Sequence, residues 1–171
     1  MSPCKEGVRE IPDQLLGVDT SELIASTGRP RFALGTRHTD KSGYEWMYVQ
    51  SSVAFAQYDT VTIKSTFQGL PITAASAKVS PMVGFAQVAF AVDEFGWVMT
   101  QGKPVIRVLV DAAVDKPLYT SGTAGALDDA TTSQAIRGLV LEDTMTTTTS
   151  GTVTALATFP QVEWGATLSQ I

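Results

Sequence analysis

The residues of this chain that could do chemistry are one histidine, one cysteine and three pairs of adjacent carboxylates. His38 and Cys4 are the sole members of their types. A Ser-His-Asp or Cys-His relay needs an imidazole to accept the nucleophile's proton, so any such relay would rest on His38. The run that follows it, Thr39-Asp40-Lys41-Ser42-Gly43, reads as a polar turn, where the rigid support of a catalytic group is hard to build. His38 therefore reads as a solvated surface histidine. Cys4 has no second cysteine for a disulfide and no zinc-ligand spacing around it, and reads as an inert thiol. The acidic pairs are Asp93-Glu94, Asp128-Asp129 and Glu142-Asp143. A glycosidase needs two carboxyl groups facing each other across a bond, roughly 5–9.5 Å apart. A calcium ion needs about six to eight converging oxygens. Acids adjacent in turns meet neither demand unless the fold joins two pairs, so they are expected to be solvated. The sequence holds no HExxH, Walker or GxGxxG pattern, and Gly122-Thr-Ala-Gly125 reads as a turn. The expectation is a protein that is not an enzyme and uses no cofactor or metal.

Binding chemistry is the other option. Aromatic residues at 46, 48, 55, 58, 85, 90, 95 and 97 fall at strand spacing. They could stack sugars or bases, but the pattern fits core packing better. Nucleic-acid binding needs clustered Lys and Arg to displace counterions from phosphates. Here 12 basic residues face 17 acidic ones, for a net charge of −5, and no nucleic-acid partner is expected. The single basic cluster is Arg29, Arg31, Arg37 and His38. No apolar run approaches the ~18 residues of a membrane span, and Met1-Ser-Pro-Cys-Lys-Glu lacks the apolar stretch of a signal peptide. No membrane partner is expected.

The elements that would position these residues read as strands. The chain has 171 residues, of which 17% are charged, below the usual ~25%. It holds 22 Thr and 17 Val, whose branched Cβ atoms favour a pleated surface. Tyr44 to Gln50 alternates, with Tyr44, Trp46 and Tyr48 on one face and Glu45, Met47 and Val49 on the other. Thr60 to Ser65 alternates too, with Val61 and Ile63 inward and Thr60, Thr62 and Lys64 outward. Met82 to Val92 reads as one long strand, with Gly84 marking a bulge or a close backbone approach. Asp93-Glu-Phe-Gly reads as a hairpin turn from which Trp97 to Gln101 returns antiparallel. Further strands are expected at 105–110, 118–120, 138–142 and 152–158, with a helical turn or a loop from Asp128 to Ile136. No repeat of fixed period appears.

Residues 1–30 differ, with Pro3, Pro12 and Pro30 and little alternation. They read as an extended arm carrying one short helix from about Asp19 to Ala25, capped by Asp19 or Thr20. Deleting residues 1–28 is expected to leave the fold intact. The expected architecture is all-β: a single antiparallel β-sandwich or β-barrel domain over 31–171, with the extended N-terminal arm over 1–30.

Several stretches, in order, carry a resemblance. They are Phe32-Ala-Leu-Gly-Thr-Arg, Gly43-Tyr-Glu-Trp-Met-Tyr-Val-Gln, Val83-Gly-Phe-Ala-Gln-Val-Ala, Phe95-Gly-Trp-Val-Met-Thr-Gln-Gly, Thr123-Ala-Gly-Ala-Leu-Asp-Asp and Ile136-Arg-Gly-Leu-Val-Leu. Over residues 31–142 this set resembles the capsid decoration, or cement, proteins of tailed bacteriophages. The resemblance implies a non-enzymatic homotrimer, made in the host cytoplasm, on the outer capsid surface of the virion. It would bridge adjacent major capsid protein subunits. Arg29, Arg31, Phe32 and Arg37 are the expected capsid contacts. The competing readings are another virion binding module, such as a head fibre base, tail tube or receptor-adhesion domain, and a small enzyme or ligand-binding barrel.

Overall fold

The computed structural model describes residues 18–131, 133–143 and 150–163. Cys4 and the rest of the expected arm before Val18, the threonine run 146–149 and the closing Trp164-Gly165 lie outside the described residues. Eleven strands follow one another: β1 Arg37–Thr39, β2 Glu45–Ser51, β3 Thr60–Ile63, β4 Gln68–Pro71, β5 Val83–Phe85, β6 Phe95–Gly102, β7 Val105–Val108, β8 Leu118–Thr120, β9 Leu127–Asp128, β10 Ala135–Leu141 and β11 Gly151–Val162. A 3₁₀ turn, Ser76–Lys78, is the one helical element among the described residues.

β2 pairs parallel with β4; β4–β3, β3–β5, β5–β6 and β6–β2 are antiparallel and close a five-stranded barrel. β7 pairs parallel with β9; β9–β8, β8–β10, β10–β11 and β11–β7 are antiparallel and close a second circuit. The second circuit repeats the first strand for strand. In each, the first strand lies between the third and the fifth, and the fourth lies between the second and the fifth. β6 and β11 join the two through Gly102↔Ala157 and Gln101↔Thr158. The architecture is thus all-β and barrel-like, with one parallel pair in each circuit of an otherwise antiparallel sheet. The duplication leaves no repeat in the sequence because strand pairing runs through the backbone, and many side-chain sets satisfy the same pairing.

The alternation in β2 places Trp46 and Tyr48 in one core and Met47 and Val49 in another. β6 does the same with Trp97 and Met99 against Val98. Met47, Val49, Phe55, Val61, Ile63 and Val98 fill the first barrel. The larger core joins the outer face of β2 and β6 to the buried face of the second circuit, including Ile106, Leu118, Leu127 and Val153. Gly84 is a close approach, as expected. A Cβ there would stand 2.9 Å from Val98 Cγ2 and 3.0 Å from Ile63 Cδ1.

Three expectations change. Asp19 to Ala25 is not helical: Asp19 Oδ1 accepts from Ser21 N at 2.9 Å and closes a tight turn, and Ile24 exchanges backbone bonds with Phe95 at 2.8 and 2.9 Å. Met82 to Val92 is not one strand. Only Val83–Phe85 joins the sheet, after which the chain folds over the barrel end, so Ala86 and Phe90 are apolar for burial rather than for pairing. Phe90 bridges Phe55, their rings 4.5 Å apart. Thr60 and Thr62 are not outward but fully buried; the turn around Gly125 lies against the start of β3, with Thr60 N donating to Gly125 O at 2.9 Å. Of the two alternatives for Asp128 to Ile136, the loop holds among the described residues: β9 ends at Asp128 and β10 begins at Ala135.

The stretch from Val18 to Leu34 lies on the body. Val18, Ile24, Phe32 and Leu34 pack on the larger core and Leu23 on the smaller. Removing residues 1–28 would break the Ile24–Phe95 pairing and uncover apolar surface, so the fold does not tolerate that deletion without cost.

Trp97 is 1% exposed, with Phe32 and Tyr48 at ring-centroid distances of 5.2 and 5.1 Å. Trp97→Ala is expected to lower unfolding free energy by about 3–5 kcal/mol, read from urea denaturation. A loss below ~1 kcal/mol would show that the site collapses around the smaller side chain.

Candidate functional site

One acid of each adjacent pair is engaged by the fold. Glu94 Oε2 accepts from Ala91 N at 2.7 Å and fixes the turn into β6. Asp129 Oδ2 accepts from Ala113 N at 3.3 Å. Glu142 pairs with Lys103 at 2.6 Å. No group of three or more metal-ligating side chains converges among the described residues. His38 is not solvated: it is 8% exposed. Its pairing with Trp46 turns the ring onto Trp97, centroids 5.8 Å apart. Its Nδ1 has no hydrogen-bond partner among the described residues, and no carboxylate orients it as in a relay. Seven of the eight aromatic residues at strand spacing are core residues, Tyr58 alone being half-buried.

The four expected contact residues divide. Arg31 pairs with Glu22 at 2.6 Å, and its backbone N donates to Tyr48 Oη at 3.3 Å. Phe32 is half-buried between Tyr48 and Trp97. These two tie the incoming chain to the body. Arg29 and Arg37 are exposed and enter no ion pair among the described residues.

Sequence reasoning missed an ion pair between the circuits, in which Asp59 is buried and the Arg107 side chain is partly exposed. Asp59, just before β3, and Arg107, in β7, approach at 2.9 Å. Asp59 Oδ2 accepts from Ala56 N at 2.9 Å, while Arg107 donates to Ala124 O. Asp59 Oδ1 has no N–H aimed at it, and Arg107 Nε is likewise unpartnered among the described residues. The contact is therefore one of charge without hydrogen-bond alignment. Gly125, at φ +75°, closes over the carboxylate, where any Cβ would collide with it. Burial pushes the Asp59 carboxyl above its ordinary range, outweighing the pull of Ala56 N–H and of Arg107. Nothing in the sequence spacing links Asp59 to Arg107.

The apolar side chains left at the surface are the second feature missed. Val140 and Leu156 are direct cross-strand partners on the outer face of β10 and β11, 42% and 43% exposed. Phe159, 52% exposed, sits at φ +52° in a bulge where the β10–β11 register shifts around Gly138. The Phe159-Pro160 pair within a strand pattern is the signal that could have found it, since a strand proline marks an edge or bulge. Beside Phe159 is a cavity of about 70 Å³, with Arg37 at its rim. That is far below the ~300–1,000 Å³ of a small-molecule site. A wider groove of about 540 Å³ follows β8 and β10, where Arg137 and Glu163 hold each other at 2.5 Å.

No family model matches the chain, and no curated protein matches it at a significant level. The site is defined by its own geometry: an acidic, Thr-rich double circuit with apolar and cationic side chains standing out from it.

The raised Asp59 pKa has a sign. The folded state holds the proton more tightly than the unfolded chain, whose carboxyl titrates near ~3.9. Asp59 therefore favours folding most at acid pH, and that contribution is lost as pH rises through its folded value. Urea denaturation across pH should show wild type losing ground to Asp59→Asn as pH climbs from about 4 towards neutrality. A gain for wild type over the same span would mean that attraction to Arg107 outweighs burial.

Proposed function

We propose that this chain is a capsid decoration protein. It binds the outer surface of a tailed-phage head, bridges neighbouring major capsid protein subunits as a homotrimer and stabilises the filled shell. The observation that carries the reading is the exposed Val140–Leu156 pair, on a body where one acid of each candidate pair is engaged in a turn or an ion pair. Directly paired apolar side chains on a strand face form a small dry patch suited to protein contact. Arg29 and Arg37 add cations whose partners lie outside this chain's described residues. The resemblance over residues 31–142 supplies the class of partner.

The energetics are those of linkage. A protein that binds the assembled shell, and not its dissociated subunits, stabilises assembly by mass action. Three copies held together turn modest contacts into firm attachment.

The test is light scattering on the purified chain, then co-sedimentation with heads lacking it. A trimer that pellets with the heads and raises their melting temperature is expected. Leu156→Glu should keep the circular dichroism and melting point of the free protein while lowering head occupancy by about tenfold or more, as charge at an interface core does. A monomer that leaves the heads unaltered would overturn the reading and favour a receptor-adhesion module.

A further inference from the structure

The wall of the first barrel carries an unused strand edge. β1 lies beside the N-terminal half of β2, with Arg37↔Met47, His38↔Trp46 and Thr39↔Glu45 in register. Tyr48 N donates to Thr36 O at 2.9 Å and Asp40 N to Tyr44 O at 3.0 Å. In an antiparallel ladder the backbone groups of alternate residues face the partner. Thr36, His38 and Asp40 therefore point their backbone groups at β2, while Arg37 and Thr39 point theirs away. β1 pairs with no other strand among the described residues.

The small cavity lies on the same face of the sheet as Arg37 and Met47. Its other walls include Ile63 at the end of β3, Met82 before β5, and Phe159 and Pro160 in the β11 bulge. These walls are mostly apolar, with Thr100 and Gln161 the polar members besides Arg37, and the volume of about 70 Å³ suits the end of one aliphatic side chain. The rim carries the exposed guanidinium of Arg37, which has no acidic partner among the described residues. Phe159 stands over the opening in a left-handed conformation that bulky residues rarely adopt.

We infer that β1 is a docking edge for an extended peptide segment. The segment adds as a strand beside Arg37–Thr39, places one aliphatic side chain in the cavity and sets a carboxylate against Arg37. An added strand presents alternate side chains to one face. The two recognised side chains are therefore two residues apart, aliphatic–any–acidic in either direction. Main-chain bonds at Arg37 and Thr39 supply attachment, and the cavity and the cation supply selectivity. The inference stands whether or not the chain decorates a capsid, because it concerns the purified protein alone.

The test uses the full 171-residue chain and a positional-scanning library of N-acetylated, C-amidated heptapeptides. Selection of Leu, Ile or Val two positions from Asp or Glu is expected. A selected peptide should shift the amide NMR signals of Arg37 and Thr39 and the methyl signals of Met47 and Met82. Arg37→Gln should weaken the acidic peptide about three- to fivefold, the range of one exposed ion pair, and leave its Asn analogue unchanged. Thr39→Pro removes an N–H that the β1–β2 ladder does not use, so the fold should survive with an unchanged melting point while binding is lost. Thr39→Val should bind as wild type. A library with no aliphatic–any–acidic preference, or a selected peptide that binds Thr39→Pro as well as wild type, would overturn the inference. Loss of binding together with a lowered melting point in Thr39→Pro would be resolved by Arg37→Gln: equal loss for the acidic and Asn peptides there would also overturn it.

Discussion

The fold depends on β6 being paired on both edges and buried on both faces. Its edges pair with β2, β5 and β11, closing the first barrel and carrying the seam to the second circuit. On one face Val98 fills the first barrel; on the other, Trp97 and Met99 belong to the core shared with the second circuit. A strand in that position admits no shift in register. One step of slip would exchange the Trp97 face for the Val98 face and empty both cores at once. Thr100, the polar residue that is buried there, donates to Glu45 O at 3.3 Å. The glycines beside it follow from the same constraint. Gly84 lets β5 lie against Val98, and Gly96 leaves room for Leu23 and Phe90.

The two circuits reach the same connectivity with different chemistry. The first encloses a core of its own, with Phe55 and Phe90 stacked over one end. The buried face of the second shares its core with the outside of the first. A polar seam accompanies the apolar one: Arg107 N donates to Tyr58 O at 2.9 Å, Val105 N to Gln87 Oε1 at 3.2 Å, and Gln87 Nε2 to Val105 O at 3.1 Å. Asp59 and Arg107 sit among these bonds. Asp59 is buried while the Arg107 side chain is partly exposed, so solvent screens the attraction and the pair adds little net stability.

Much of this was legible in local pattern, and the rest depended on distant partners. β7, β8 and β11 were visible because half-buried strands alternate and turn residues bracket them, and β2 because aromatic residues recur at every second position from Tyr44 to Tyr48. The Gly122–Gly125 turn was visible because glycine punctuates strands, and the close approach at Gly84 because a glycine inside a strand pattern marks a place where a Cβ would not fit. Met82 to Val92 misled because a loop folded over a barrel end is as apolar as a strand. Thr60 and Thr62 misled because hydroxyls in an alternating run signal solvent, whereas both are buried here and a turn from the second circuit lies against Thr60. His38 misled for the same reason: the polar run after it hid its pairing with Trp46. Asp19 served a cap as expected, but of a turn, since the backbone of Ile24 found a better partner in Phe95. The surface patch was the least legible, since which face of β10 and β11 stays bare depends on the whole fold.

That bare face bears on what the chain is built for. Holding Phe159 at a left-handed φ costs of order 1–3 kcal/mol. The fold could relieve this by shortening the bulge or placing glycine there. Instead, neighbouring features hold it: Gly138 takes φ +75° directly opposite, Thr158 Oγ1 reaches Gly138 O at 3.4 Å, and Pro160 is buried behind it. Yet the ring they support is half in solvent and adds little to either core. Val140 and Leu156 follow the same logic on the neighbouring strand face, where threonine would serve folding equally well. Stability is thus spent on apolar groups that the isolated chain leaves exposed. Such an arrangement is advantageous when another surface covers them, and it fits a protein whose work is done by contact.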